Sequence, residues 1–222
     1  MKKTDVYIRL EEGSKMPHYA SSEAAGCDLY ATEDMALKPG ERKVMPMKFI
    51  VAIDNDIEIQ IRPRSGLSLK TDLRIPNSPG TIDSDYRDMV GVIIENTYNI
   101  ANMPYQIAGN PNLLKTLDEE CTIVRLLEYL ESNKNTDTEI AEASEIHTIF
   151  EKDKMSSILD IDILIDKKGN PYGTIYIKKG DRIAQMVFSE CRHANFITHD
   201  KPETIGKNRG GGFGHSGISS HE

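Results

Sequence analysis

Before Asn96 the chain is written in short runs in which apolar and polar residues alternate, at 6–10, 42–53, 57–62 and 90–95, cut by Lys38-Pro39-Gly40 and Asp54-Asn55-Asp56. A period of two sends successive side chains to opposite faces of a strand, and clusters of Pro, Gly and Asn/Asp end strands. This part of the chain is predicted to be a sandwich or jelly roll, with little room for helices. The pattern changes after Asn96. Leu113, Leu117, Cys121, Val124 and Leu127 recur at steps of three and four, and a weaker helical pattern covers 138–150, so two helices joined by the polar stretch 131–137 are expected. Strand character returns at 158–165 and 174–178, and Lys168-Gly169-Asn170-Pro171 between them predicts a hairpin. The parse is a β domain at 1–96 and 174–205, interrupted at 97–173 by a mainly helical excursion with a terminal strand. At roughly seventy residues the excursion is too long for an ordinary connection.

Charge sharpens this division. The whole chain carries −8, which argues against a polyanionic ligand, since phosphate needs positive potential. Within 97–173, however, 14 acidic residues face 7 basic ones, leaving 21 acidic and 20 basic residues elsewhere. The acidity belongs to the excursion, and the remainder can hold a phosphate site. No apolar run approaches the eighteen or so residues of a membrane span, and the start, MKKTDVYIRL, alternates like a strand instead of forming a signal segment, so a cytoplasmic protein is expected. Cys27, Cys121 and Cys191 are odd in number and widely spaced, which predicts reduced structural thiols.

Five short segments carry the chemistry. In the tail, 206–222, Arg209-Gly210-Gly211-Gly212-Phe213-Gly214-His215-Ser216-Gly217 offers backbone N–H groups for phosphate, a guanidinium and an aromatic face. Glycine on this scale reads equally as a linker or a lid. Pro63-Arg64-Ser65-Gly66-Leu67 leaves a strand with a cation and a hydroxyl; alone, it is a phosphate clamp or a plain turn. In Asn77-Ser78-Pro79-Gly80-Thr81-Ile82-Asp83-Ser84-Asp85-Tyr86-Arg87 an extended 82–86 would set Asp83 and Asp85 on one face, as a pair able to hold a metal or activate water, or as a solvated hairpin tip. Gly26-Cys27-Asp28-Leu29 and Gly180-Asp181-Arg182-Ile183-Ala184-Gln185 say little individually.

In their order along the chain these five segments closely resemble the five motifs of the trimeric dUTP pyrophosphatase family. The resemblance covers 1–96 and about 174–217. It implies a jelly-roll-like homotrimer with active sites shared between chains, and hydrolysis of dUTP to dUMP and pyrophosphate, limiting uracil in DNA and supplying dUMP for dTMP synthesis. It also implies roles. Asp83 would be the general base that activates water against the α-phosphorus. Asn77 and the hairpin backbone of Gly80 and Ile82 would meet uracil, and Tyr86 would pack on the deoxyribose. Arg64, Ser65, Gly66 and Gln185 would hold phosphate oxygens, and Asp28 would reach a Mg²⁺ ion through water. Phe213 would stack on the base, while Arg209, Gly214, His215 and Ser216 reach the phosphates. The chain departs from the family twice: Arg209 stands four residues before Phe213, with Asn208 at the usual arginine position, and Asp88 follows Tyr86-Arg87 where the family favours glycine. The alternatives are a dCTP deaminase, which is similar in fold but lacks this tail, and a regulatory protein using 97–173 as a surface for a protein partner. No membrane or direct nucleic-acid contact is expected.

Overall fold

The computed structural model describes residues 3–133 and 160–207. Its strands are β1 (Tyr7–Leu10), β2 (His18–Tyr19), β3 (Cys27–Tyr30), β4 (Met35–Leu37), β5 (Arg42–Pro46), β6 (Phe49–Ala52), β7 (Ile57–Arg62), β8 (Leu73–Arg74), β9 (Gly80–Ile82), β10 (Gly91–Asn96), β11 (Cys121–Arg125), β12 (Asp162–Asp166), β13 (Ile175–Ile177) and β14 (Arg182–Glu190). The helices are α1 (Ser65–Lys70), α2 (Met103–Gly109), α3 (Leu113–Glu120) and α4 (Leu126–Ser132). The fold is mainly β, and its principal sheet has the order β2-β3-β14-β7-β9. A second sheet, β5-β10-β8, and the pairs β1-β6 and β13-β4 complete the enclosure. Between them lies one apolar cluster in which Leu29, Leu37, Met45, Phe49, Ile59, Val92 and Ile94 are buried. Alternation produces it: β10 reads exposed-buried-exposed-buried, as a strand with one face on a core must.

The run 42–53 forms two strands, because the chain turns a corner at Met47 and Lys48. Lys48 takes φ 53, a left-handed conformation usually left to glycine. The corner moves the chain from one sheet to another: β5 pairs with β10, and β6 pairs with β1. Met47 N donates to Val90 O at 2.8 Å and Val90 N to Phe49 O at 3.0 Å, so the bend keeps its backbone partners.

The excursion departs from expectation in two ways. The periodic stretch from Leu113 is not one helix: α3 stops at Glu120, β11 follows, and α4 resumes at Leu126. Thr122, Ile123 and Val124 are β-branched and prefer the pleated surface, and they find a partner, since β11 pairs antiparallel with β12 from Cys121↔Asp166 to Arg125↔Asp162. That partner was expected to form a hairpin with 174–178. The turn does reverse the chain, with Gly169 N donating to Asp166 O at 2.9 Å and a single bridge at Ile165↔Pro171. Beyond it β13 leaves to pair with β4. The second expected helix, 138–150, and the joining stretch 134–137 lie outside the described residues.

Both ends of the excursion meet at Asn96, which is fully buried. Its Nδ2 donates to Leu37 O and to Gly173 O, both at 2.8 Å, and its Oδ1 accepts from Tyr98 N at 2.9 Å. One side chain thus joins β10, β4 and the point where the chain returns.

Residues 192–222 form a second compact unit. Its described part, to Lys207, is exposed and irregular apart from a 3-10 turn at Pro202–Thr204, with Phe196 and Ile197 among its exposed side chains.

Candidate active site

The principal sheet gathers the sequence motifs. Asp28 lies on β3, Arg182 and Gln185 on β14, Arg64-Ser65-Gly66 at the exit of β7 and Gly80 to Ile82 on β9. In the ladder Gln185 stands opposite Asp28 on one side and Arg62 on the other. Residues three apart on a regular strand face opposite ways, so Arg182 and Gln185 should diverge. They do not. The register of β14 on β3 slips between Arg182 and Ala184, and this bulge places Arg182 opposite Tyr30 and Gln185 opposite Asp28, two positions on the same face of β3.

Asp28 is 8% exposed and is held between two arginines. Arg64 Nε donates to its Oδ1 at 2.9 Å, Arg182 Nη1 donates to its Oδ2 at 3.1 Å, and Arg64 Nη1 reaches Arg182 O at 3.4 Å. A carboxylate buried this far needs such partners. Gln185 Nε2 donates to Pro63 O at 2.9 Å, which ties β14 to the turn carrying Arg64. Gly26 makes this packing feasible, since a Cβ there would stand 2.7 Å from Gln185 Oε1. Ser65 and Gly66 are exposed at the start of α1.

The third motif is a hairpin. Ser78 N donates to Ile75 O at 3.1 Å, and Asn77 turns back over Gly80, where a Cβ would meet Asn77 Nδ2 at 2.9 Å. Ile82 is buried. The extended 82–86 expected from the sequence is a turn instead, closed by Tyr86 N donating to Asp83 O at 3.1 Å, so Asp83 and Asp85 do not share a strand face. Asp83 is exposed, and its carboxylate carries no hydrogen bond or ion pair among the described residues. Tyr86 is anchored by its hydroxyl to Met89 O at 2.9 Å, and Arg87 Nη1 donates to Ser84 O at 2.6 Å. Asp88 accepts from Met89 N at 2.8 Å, which fastens its side chain to its own loop. Cys191 lies close by: desolvation and then the carboxylates of Glu58, Asp83 and Asp56 push its thiol pKa up.

These groups form two clusters. Ile82 pairs with Ile59, so Asp83 continues toward the level of Glu58, whereas Gln185 and Asp28 lie at the level of Arg62. Four residues of strand separate the two levels, roughly 13 Å. Within one chain the Asp83 hairpin and the arginine cluster therefore stand apart. Arg182 is the member that sequence reading missed: it lies in a recognised motif, but the bulge that turns it has no signature. Among the described residues no three His, Cys, Asp or Glu side chains group as a metal site. Arg209, Phe213, Gly214, His215 and Ser216 lie outside the described residues.

A model of the dUTPase family matches residues 12–103 and 160–217. The deoxyuridine 5'-triphosphate nucleotidohydrolase of Fusobacterium nucleatum subsp. nucleatum is 37% identical over 150 residues, 67% of this chain and 99% of that protein. Among solved structures, the dUTPase of Staphylococcus bacteriophage 80alpha with dUPNHPP superposes with a TM-score of 0.62 at 22% identity, over 97% of this chain and 100% of that chain. A mutant dUTPase from phage phi11 of S. aureus, described with a structural Mg(II) ion, gives 0.56 at 22% identity over 88% of this chain and 97% of that one. The chain belongs to the dUTPase family. It is a dUTP diphosphatase, hydrolysing dUTP to dUMP and pyrophosphate, and the deaminase alternative finds no support in relatives that carry the hydrolase name. No helix among the described residues is long and apolar enough to cross a membrane.

Proposed function

We propose that Asp83 is the general base of dUTP hydrolysis and that each active site is completed by more than one chain of a homotrimer. The observation that carries this reading is the division of the motif residues into two clusters on a single chain, one with a free carboxylate and one with paired arginines. Asp83 takes a proton from water, the water oxygen attacks the α-phosphorus, and the bond to the bridging oxygen breaks, releasing pyrophosphate. Asn77 and the backbone at Gly80 and Ile82 read the uracil edge. Tyr86, held by Met89, packs where a ribose hydroxyl would clash. Arg64, Ser65, Gly66 and Gln185 bind phosphate oxygens. The tail, 206–222, brings Phe213 to the base and Arg209, Gly214, His215 and Ser216 to the phosphates.

The donor chemistry suits a Mg²⁺ ion carried by the triphosphate better than a resident one. Both oxygens of Asp28 already accept from guanidinium groups, leaving lone pairs for water but no vacant chelating face. When bound, the ion neutralises phosphate charge. Residues 1–96 and 174–205 are read as the enzyme domain and 97–173 as the acidic insertion; the family match skips 104–159 and resumes before β12.

Asp83→Asn should lower pyrophosphate release from dUTP by roughly two to four orders of magnitude while a non-hydrolysable dUTP analogue still binds, as measured by calorimetry. Near-normal turnover would remove Asp83 from the mechanism. Mixing addresses the shared site. Subunits carrying Asp83→Asn and subunits carrying Arg64→Gln, each impaired but measurable alone, should together exceed the sum of their separate activities once reassembled, because some sites then receive an intact Asp83 from one chain and an intact Arg64 from another. Sites built within single chains would give no more than that sum.

A further inference from the structure

We infer that Arg182 is a second phosphate-binding arginine of the dUTP site and that Asp28 is the positioning residue holding it beside Arg64; this rests on the assignment of Arg64, Ser65 and Gln185 to the triphosphate. Three observations carry it. The first is charge: one buried carboxylate binds two guanidinium groups, through Arg64 Nε at 2.9 Å and Arg182 Nη1 at 3.1 Å, so the trio keeps an excess positive charge in a chain whose net charge is −8. Two neighbouring cations repel, and an anion laid across them relieves that repulsion.

The second is exposure. The Asp28 side chain is 11% exposed, while that of Arg182 is 51% exposed. Asp28 Oδ2 and no other side chain receives a hydrogen bond from Arg182 among the described residues. The rest of its planar fork is free to meet two oxygens of a phosphate. An arginine serving only to neutralise Asp28 would not need to leave half its surface in water.

The third is the bulge. A regular β14 would point Arg182 away from Gln185; the slip of register between Arg182 and Ala184 gives up a ladder position and turns both toward Asp28. Bulges of this kind redirect side chains beside active sites. Arg62, the other cation opposite Gln185, is turned back onto Gln60 Oε1 at 3.0 Å and so is a poorer candidate.

The test compares Arg182→Gln with Arg64→Gln in the full-length protein, measuring KM for dUTP and inhibition by pyrophosphate and by deoxyuridine, which has no phosphate. For Arg182→Gln we expect affinity for dUTP and pyrophosphate to fall roughly ten- to a hundredfold, as loss of a charge-assisted contact predicts, with deoxyuridine inhibition unchanged. The plot of log kcat/KM against log salt should also become shallower. Unchanged dUTP affinity in Arg182→Gln, with a loss in Arg64→Gln, overturns the inference alone. Unchanged affinity in both overturns the underlying phosphate assignment. An equal loss for deoxyuridine would show that Arg182 is structural, which also overturns the inference. Should Arg182→Gln fail to fold, Arg182→Lys decides: it keeps the charge beside Asp28 but loses the fork, and wild-type affinity for dUTP in that variant refutes a bidentate phosphate contact.

Discussion

The sheet that carries the motifs and the excursion at 97–173 are built on different terms. Around the first, a single apolar cluster extends from Cys27 to Ile94 and on to Met186; β3 and β14, which hold Asp28 and Gln185, and β7, which leads into Arg64, rest on it. In the second, Leu117, Tyr129 and Ile165 are the described residues that reach burial, and among the described residues β11 and β12 form a sheet of two strands, with one further bridge at Ile165↔Pro171. Two strands alone are marginally stable in water. The contrast indicates that the enzyme's geometry is fixed by its own core, and that the excursion depends on small local contacts and on its junction.

Matched cavities would break this comparison most sharply. Phe49→Ala removes a fully buried ring from the cluster and should cost about 3–5 kcal/mol, lowering the unfolding midpoint of the whole β domain. Leu117→Ala opens a smaller cavity in the excursion, and its cost, about 2–3 kcal/mol, should appear as local opening seen by hydrogen exchange at 113–125, with dUTP turnover kept. Global unfolding of the β domain by Leu117→Ala would mean that the two regions fold as one.

The junction should give a smaller, shared effect. Asn96→Ala strips a donor from Leu37 O and Gly173 O and an acceptor from Tyr98 N, all in a fully buried setting, so a loss of about 2–4 kcal/mol is expected. Exchange protection should fall on both sides of the junction, in β4 and β13 as well as in the excursion. Loosening confined to one side would show that Asn96 serves that side alone.

How much of this was legible in the sequence follows from the range of the interactions. Period-two alternation and turn residues are local, and they located β7 and β10 almost to the residue; the order of the motifs pointed to the residues that the principal sheet gathers. The stretch from Leu113 to Leu127 failed because its spacing suits a helix while Thr122, Ile123 and Val124 suit a strand, and β12, some forty residues on, decides between them. The corner at Lys48 carried no glycine to announce it. Arg182 meets Asp28 across 154 residues through a bulge, and no local pattern encodes that.

The smallest effect comes from Tyr98, beside the junction. Its ring stands edge-on to Tyr172, with centroids 5.7 Å apart, and fills the space where a Cβ on Gly173 would lie, so its packing has a clear role. Its hydroxyl does not: the oxygen is buried without a hydrogen-bond partner among the described residues. Burial first, and then Tyr172, Asp72 and Cys121, push its pKa up to about 12 from the ordinary 10.0. A raised folded-state value means that the neutral phenol is favoured by folding, so this contribution is complete below pH 10 and is lost as pH climbs from there toward 12. Tyr98→Phe keeps the ring and discards the unpaired hydroxyl, so at pH 7 its stability should lie within about 1 kcal/mol of the parent protein. Above pH 10 the variant should lose less stability than the parent, though not nothing, because Tyr176 is likewise pushed up to about 12, by burial and by its bond to Asp166. Urea unfolding at pH 7 and pH 10.5 reads both quantities. A variant that is several kcal/mol weaker at pH 7 would show that the hydroxyl has a partner after all, a buried water being the natural one, and the junction would then be held by polar contacts on both of its strands.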